Sequence, residues 1–191
     1  KVDILSALRA AVFQVPSLST TGFVSADFET WPTFSKMLLL TLMMIGGCAG
    51  STASGIKVAR IVLLFRSARA VIQQKLNPHR VVDVSLGGVH VDGAVLMRVG
   101  TFFFLYLLII CITALLLTAD GLAPFDAVAV AVTTIGNIGP AFGIVSATAT
   151  YAPLSDFVKS VLCITMLLGR LEIFTLLILL RPSFWRKTKR W

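Results

Sequence analysis

The chain has 191 residues, 57% of them hydrophobic and 14% charged, and its mean hydropathy is +0.90. Soluble domains carry roughly 25% charged residues, so this composition excludes an ordinary soluble protein and predicts an all-α integral membrane protein. The three cysteines form no CxxC or Cys/His cluster, which leaves a metal site unsupported and favours free thiols that are buried in the membrane.

The chain opens on a short helix-like run followed by a small polar stretch. Residues 3–15 are too few to cross a bilayer, and Pro16 is expected to end the helix. Ser19-Thr20-Thr21-Gly22-Phe23 follows. Irregular polar backbone at membrane depth is tolerated only where it lines a cavity or is buried in protein. The alternative is an ordinary extracellular helix and loop.

A second apolar run is interrupted by ten consecutive small residues. A helix is predicted from Phe34 to Ile45, and it is expected to resume at Ile56 and run to about Ile72. The intervening Gly46–Gly55 segment contains four glycines, each costing about 1 kcal/mol against alanine in a helix. We expect an irregular loop that forms a flexible constriction in a water-filled pore. The alternative is close helix packing through small residues.

The same small-residue segment resembles a phosphate-binding loop only superficially. Gly50 to Lys57 approaches GxxxxGK[ST], but the lysine is one place late and no Ser or Thr follows it. No β-strand precedes the segment, and such a loop needs one to aim its amides at phosphates. The chain is therefore not expected to be an enzyme.

The second half of the chain contains the longest apolar runs. Residues 77–94 form a polar connector that is expected to pair as a hairpin around Gly87-Gly88. Met97–Thr118, about 22 residues without a charge, predicts an uninterrupted span. A short helix over Phe125–Thr134 and a polar loop come next. Leu154–Leu180 is predicted as the last span.

An internal repeat relates the two halves. Gly139 in the second unit corresponds to Gly22 in the first. Further along the chain, Phe157-Val158-Lys159 corresponds to Phe34-Ser35-Lys36, at a residue offset that is larger than the one between the two glycines. The full repeat consists of a span, a short re-entrant helix, a polar loop and a second span. The first unit is predicted to lack the leading span. The repeats are predicted to be parallel and similar to those of potassium channels.

These boundaries divide the chain into three segments. Residues 1–76 form one pore-loop unit, 77–94 a cytoplasmic connector, and 95–191 a second unit with a basic tail. Basic residues cluster in 57–80 and 181–190, which places both on the cytoplasmic side by the positive-inside rule. A nucleic-acid partner is not expected, because the basic residues flank the spans on one side only.

A pore loop selects ions through backbone carbonyls. The short helix points its carbonyl end at the membrane centre, and loop carbonyls replace the water around a cation. Glycine supplies the unusual dihedral angles that direct the carbonyls to one axis. Potassium is the cation that such rings commonly suit. Two units cannot close a four-sided filter, so two more must come from elsewhere.

At these motifs the sequence resembles the C-terminal half of bacterial Trk/Ktr-type potassium uptake subunits. The resemblance rests on Ser19–Phe23, on Gly46–Lys57, on Asn137-Ile138-Gly139-Pro140 and on Leu168-Gly169-Arg170-Leu171-Glu172. It implies that the chain carries the third and fourth of four pore-loop units. The implied potassium-binding filter residues are Thr20, Thr21, Gly22, Asn137, Ile138 and Gly139. The implied gate residues are Gly46, Gly47, Gly50, Ser51, Gly55 and Arg170.

The resemblance also implies partners and a location. An N-terminal half with two further pore-loop units, a second copy of the subunit and a cytoplasmic nucleotide-binding ring protein are expected. The setting is the bacterial cytoplasmic membrane, which the chain crosses several times. Potassium is the transported ion, and no organic cofactor is expected. Ile138 departs from a polar filter residue, so that only its backbone can serve an ion.

Arg170 has a physical role that does not depend on the resemblance. A charge at the bilayer centre costs about 2.5–3.5 kcal/mol, so this side chain should face water or a partner. Below a cation filter it would repel cations. The alternatives are helix packing or a pair with Glu172, which lies two residues away on a different face.

Three functions fit the pattern to different degrees. The first is channel-like potassium uptake through a filter gated by the small-residue loop and Arg170. The alternative is a secondary transporter of another small solute or cation, built from broken helices. A membrane scaffold would leave the paired loops unexplained.

Overall fold

The computed structural model describes residues 4–48, 50–51, 53–77, 83–146, 148–171 and 173–179. These residues form helices and one small hairpin. The elements are α1 (Ile4–Pro16), α2 (Thr33–Ile45), α3 (Val58–Leu76), β1 (Ser85–Leu86), β2 (Val89–His90), α4 (Gly93–Ala119), α5 (Pro124–Gly136), α6 (Asp156–Arg170) and α7 (Ile173–Leu179). The part of the tail from 180 onward, including the basic segment 181–190, lies outside the described residues.

Helix α1 ends at Pro16, as predicted, but the chain does not become extended there. Pro16 has φ −61° and ψ −35°, which are helical, and a π-helical turn follows over Ser17–Thr21. Proline fixes φ near a helical value, but it lacks an N–H and its ring crowds the carbonyl four residues earlier, so the regular α-helix changes to a wider turn here. The Gly22 N–H closes the turn by donating to the Ser17 carbonyl over 2.9 Å.

The second apolar run is broken between α2 and α3. Helix α2 ends at Ile45, Gly46 has φ +70°, and α3 begins at Val58 rather than at the predicted Ile56. The helix begins later because Lys57 has φ +68°, which a right-handed helix excludes. Its other end, Leu76, lies beyond the predicted Ile72, since no glycine or proline interrupts the residues between them.

The connector between the units contains the predicted hairpin. Ser85 pairs with His90 and Leu86 with Val89 in antiparallel register, around Gly87 and Gly88. Both glycines have positive φ, as a two-residue turn between antiparallel strands requires. Arg66 of α3 donates to the Ser85 carbonyl and so fixes the hairpin against the helix.

Helix α4 has 27 residues, which correspond to about 40 Å at 1.5 Å per residue. Among the described residues it is the one helix that is both long and apolar enough to cross a membrane. Helices α2 and α5 are apolar but shorter.

Helix α5 forms the centre of the packed structure. Pro124 occupies its first turn, where a missing N–H costs nothing, and its residues from 129 to 136 are all buried. Helices α4, α6 and α2 pack around it. Small side chains at Ala127, Ala129 and Ala131 let these neighbours approach closely.

The predicted single span Leu154–Leu180 is wrong, because the helix is interrupted. Helix α6 ends at Arg170, Leu171 is not helical, and α7 begins at Ile173. A side chain at Gly169 would overlap the Ile135 carbonyl, so the close approach to α5 occurs just before the break. At the offset that aligns α2 with α6, Gly169 corresponds to Gly46, which is the residue directly after the end of α2.

The burial of the thiols in the membrane stays a prediction. Cys48, Cys111 and Cys163 are free and exposed in this chain. Cys48 lies in the loop after α2, Cys111 lies on α4, and Cys163 lies on α6, where it lines a cavity together with Thr133 and Thr134 of α5.

Candidate functional site

The first predicted filter loop leaves the helical conformation within Ser19–Gly22. Thr20 has φ +107° and Gly22 has φ +79°, whereas Thr21 between them has no positive φ. The Ser17 hydroxyl donates to the Phe23 carbonyl, and the Thr21 hydroxyl donates to the Pro16 carbonyl over 3.1 Å. The last turn of the helix therefore holds the loop at both ends.

The second filter loop repeats this pattern at the corresponding positions. Asn137 has φ +52° and Gly139 has φ +110°, and Ile138 lies between them. The Thr133 hydroxyl donates to the Pro140 carbonyl over 2.8 Å. In both loops the carbonyl of the residue after the glycine is thus held by a hydroxyl from the preceding helical segment.

The structure brings the two loops into contact. Gly22 lies so close to the Ile138 carbonyl oxygen that a side chain at this glycine would overlap it. Ile138 is buried and packs its side chain on Gly136, which leaves its backbone next to the first loop. The carbonyl ends of α1 and α5 therefore converge on one place.

Tyr151 holds the second loop from outside. Its hydroxyl donates to the Gly139 carbonyl over 2.6 Å. Burial raises the pKa of Tyr151 to about 12, so the hydroxyl remains a neutral donor at ordinary pH. The offset that aligns α2 with α6 pairs Tyr151 with Phe28 of the first unit, and a phenylalanine side chain has no hydroxyl. The two loops are therefore held differently.

The predicted gate loop, Gly46–Gly55, closes on itself. The Ile56 N–H donates to the Met44 carbonyl over 3.4 Å, and the Val58 N–H donates to the Gly47 carbonyl over 3.1 Å. The backbones of Gly46 and Gly55 are in contact at the base of the loop. Because both glycines have positive φ and no room for a side chain, this base depends on glycine.

The far end of the gate loop is open. Gly50 and Ser51 are exposed, and the Ser51 hydroxyl accepts from the Ala53 N–H over 3.1 Å within the loop. Gly47 lies close to Ala53 and Ser51. The loop therefore has a fixed base and an exposed end.

Arg170 lies beside the gate loop at the end of α6. A cavity of about 280 Å³ lies between them, and its lining includes Ser51, Ser54, Lys57, Phe102 and Arg170. The Arg60 guanidinium sits 4.1 Å from the centre of the Phe102 ring. This region therefore brings several cations to one side of the loop. Glu172, the alternative partner of Arg170, lies outside the described residues.

Asn137 connects the second predicted filter loop to the predicted gate loop. Its amide nitrogen donates to the Ser54 hydroxyl over 3.2 Å and to the Met166 carbonyl over 3.1 Å. Sequence reasoning missed Ser54 and the amide contacts of Asn137, because they join residues far apart in the chain. It also missed Tyr151 and Thr133, because the offset that aligns Gly22 with Gly139 pairs Ser17 with Thr134, one residue after Thr133.

Glu29 connects the segment that follows the first predicted filter loop to the segment that follows the second. Its carboxylate accepts from Lys36 over 2.6 Å and from the Gly143 N–H over 3.1 Å. Burial acts to raise the pKa of the Glu29 carboxyl. The Lys36 and Gly143 hydrogen bonds and the Lys36 charge outweigh this effect and hold the pKa below its ordinary value.

The comparisons with known proteins agree with this architecture. The sequence model of the family described as "TrkH: Cation transport protein" matches residues 1–187. The chain is 40% identical over 184 residues to the Trk system potassium uptake protein TrkH of Salmonella typhimurium, covering 96% of this chain and 38% of the relative. It is also 40% identical over 186 residues to the TrkH of Halomonas elongata, covering 97% of this chain and 38% of the relative.

A solved structure matches as well. The crystal structure of the potassium transporter TrkH from Vibrio parahaemolyticus superposes with a TM-score of 0.87 at 40% identity, covering 97% of this chain and 40% of that one. The chain thus spans about two fifths of the length of the relatives that it matches. A family match over nearly every residue, together with this structural likeness, means that the chain belongs to the TrkH family of cation transport proteins.

Proposed function

We propose that this chain forms two of the four sides of a potassium filter in a membrane transporter for potassium uptake. The observation that carries the proposal is that two loops, each following a short helix, lie in contact with each other. Both loops have positive φ at corresponding positions: Thr20 corresponds to Asn137, and Gly22 corresponds to Gly139. The names of the relatives, potassium uptake proteins and a potassium transporter, support the choice of ion.

The filter chemistry follows from the backbone. Alternating positive and negative φ turns successive carbonyls toward a common line beside the chain, whereas the carbonyls of a strand alternate sides and those of a helix lie along its axis. We assign the ion ligands to the residues before Phe23 and Pro140, whose carbonyls accept hydroxyl protons that hold the end of each loop in place. Thr20, Thr21, Gly22, Asn137, Ile138 and Gly139 supply these ligands, and the carbonyl ends of α1 and α5 favour a cation.

The gate lies next to the filter in this proposal. The Gly46–Gly55 loop, including Gly47, Gly50 and Ser51, narrows the path, and Arg170 adds a positive charge on the same side. A cation that leaves the filter meets this charge in a region of low dielectric constant, where repulsion is stronger than in water. Transport therefore requires the loop and Arg170 to move.

The remaining sides of the filter belong to further protein. The outer side chains of Ile4, Leu5, Leu8 and Val12 on α1 are exposed, whereas the corresponding helix α5 is buried by α4. We infer that two more pore-loop units cover α1 in the complete transporter. The subunit is a homodimer that binds a cytoplasmic nucleotide-binding ring, and it lies in the bacterial cytoplasmic membrane with residues 57–80 and 181–190 inside.

The residue segments take their roles from this arrangement. Residues 1–76 form the third pore-loop unit, 77–94 the cytoplasmic connector, and 95–191 the fourth unit with the basic tail. Transport requires no chemical step on the chain, so the protein is not an enzyme and needs no organic cofactor.

Uptake by potassium-starved cells tests the proposal. Cells that carry the full gene should take up rubidium or potassium, and uptake of neither ion would reject the function. Gly22→Ala should reduce uptake at least tenfold, because the new side chain meets the Ile138 carbonyl at a positive φ. Gly100→Ala is the matched control, since nothing lies within 4 Å of a side chain built there. Equal uptake by both variants would contradict a filter role for Gly22.

A further inference from the structure

We propose that the Asn137 amide acts as a latch between the filter and the closed gate. The inference rests on the proposed function and adds a positioning role to a residue whose backbone belongs to the filter. Through its side chain, Asn137 fastens the gate loop of one unit and helix α6 of the other unit to the same point of the filter.

The latch uses the whole donor capacity of one side chain. An asparagine amide has two N–H groups, and the two acceptors here are the Ser54 hydroxyl at 3.2 Å and the Met166 carbonyl at 3.1 Å. Ser54 is only 5% exposed, so its hydroxyl has little access to water as a substitute partner. The positive φ of Asn137 suits asparagine better than most other residues.

The two acceptors belong to the two parts of the proposed gate. Ser54 lies at the base of the Gly46–Gly55 loop, next to Gly55 and the buried Ile56. Met166 lies one helical turn before Arg170, on α6. Movement of the loop or of the end of α6 away from the filter stretches or breaks one of these bonds.

The direction of the effect follows from population linkage. A contact made in the closed state and lost on opening favours the closed state by its own free energy. Loss of the Ser54 hydroxyl should therefore increase the fraction of open transporters. A typical hydrogen bond contributes about 1 kcal/mol, which corresponds to roughly a fivefold change in that equilibrium.

Rubidium flux through the complete protein in lipid vesicles tests the latch. Ser54→Ala should raise the flux about fivefold, and Ser54→Thr, which keeps a hydroxyl, should restore the wild-type flux. Asn137→Gly removes the amide and tolerates the positive φ. In that background Ser54→Ala should have no further effect, because the bond is already absent.

Ser160→Ala is the matched control. Its hydroxyl donates to the Asp156 carbonyl within α6, and its loss should leave the flux unchanged. The latch is rejected if Ser54→Ala and wild type give equal flux, if Ser54→Ala and Ser54→Thr give equal increases, or if the Ser54→Ala increase persists in the Asn137→Gly background. If Asn137→Gly does not insert, the contrast between Ala and Thr at position 54 decides. Absence of wild-type flux would instead overturn the proposed function.

Discussion

At the scale of single residues, backbone conformation distinguishes the two loops from their surroundings. Thr20 adopts φ +107°, which a β-branched residue rarely does and which costs on the order of 1–3 kcal/mol. The corresponding Asn137 and the two glycines tolerate positive φ more easily. Contacts around the first loop, including the Ser17 and Thr21 hydroxyls, must therefore hold Thr20 in place.

The Tyr151 hydroxyl gives a prediction at this scale. Tyr151→Phe leaves the Gly139 carbonyl without this donor, so the carbonyl should move more freely and the filter should discriminate less between ions. We expect the rubidium-to-sodium flux ratio of the complete protein to fall about three- to tenfold, for one lost hydrogen bond of about 1 kcal/mol. Because the pKa of Tyr151 is raised to about 12, the effect should be the same between pH 6 and pH 8, which roughly brackets neutrality.

Tyr106→Phe provides the matched control for Tyr151. Its hydroxyl is buried and has no hydrogen-bond partner among the described residues, so its removal breaks no such bond. An unchanged flux ratio in Tyr151→Phe, or an equal fall in Tyr106→Phe, would argue against a filter role for the Tyr151 hydroxyl.

At the scale of elements, each half of the chain has a helix that breaks after its predicted filter loop. Helix α2 ends at Ile45 and α6 at Arg170, close to corresponding positions, although their sequences differ. A run of small residues predicts the first break. The second has one glycine, Gly169, and its position against the Ile135 carbonyl is a tertiary contact that no local pattern indicates.

Arg170 belongs to this scale because the end of α6 places it beside the gate loop. Arg170→Ala removes a positive charge from the proposed cation path, so rubidium flux through the complete protein should increase several-fold. Arg170→Lys keeps the charge and should remain close to wild type. Flux in Arg170→Ala that matches wild type, at equal amounts of protein in the membrane, would count against a barrier role.

At the scale of the whole molecule, the two units are joined at the loops and beyond them. Glu29 of the first unit accepts from Lys36 in its own unit and from the Gly143 N–H of the second. Phe28 and Phe142 pack edge to face nearby, with ring centres 5.2 Å apart. This contact fixes the distance between the loops that follow the two filters.

Glu29→Gln should destabilise the complete protein by about 1 kcal/mol at pH 7, because a charged hydrogen-bond acceptor is lost. The folded-state pKa of Glu29 lies below its ordinary value of 4.5, so its stabilisation is present above about that pH and is lost as the pH falls through the lowered value. The difference in melting temperature between the variant and wild type should accordingly shrink in acid.

Asp156→Asn is the control for Glu29. Its pair with Lys159, at 3.3 Å, is exposed and lies within one helix, so its loss should change the stability far less than Glu29→Gln does. A Glu29→Gln variant as stable as wild type at pH 7, or a difference that grows in acid, would contradict the bridging role.

The sequence by itself determined the class of protein and the order of its parts. Hydropathy, proline and glycine positions, and the repeated motif depend on local chemistry, so they predicted α4, α5, the hairpin and the interrupted α2–α3 run. They failed at the break between α6 and α7, where the contact of Gly169 with α5 decides.

Only the tertiary structure decided which residues meet. Local patterns do not report the distance between segments that are far apart in the chain. Sequence reasoning therefore did not predict three contacts: Gly22 with Ile138, Asn137 with Ser54, and Glu29 with Gly143. These contacts form because α5 is buried among α2, α4 and α6, which brings both loops and the gate loop to one end of that helix.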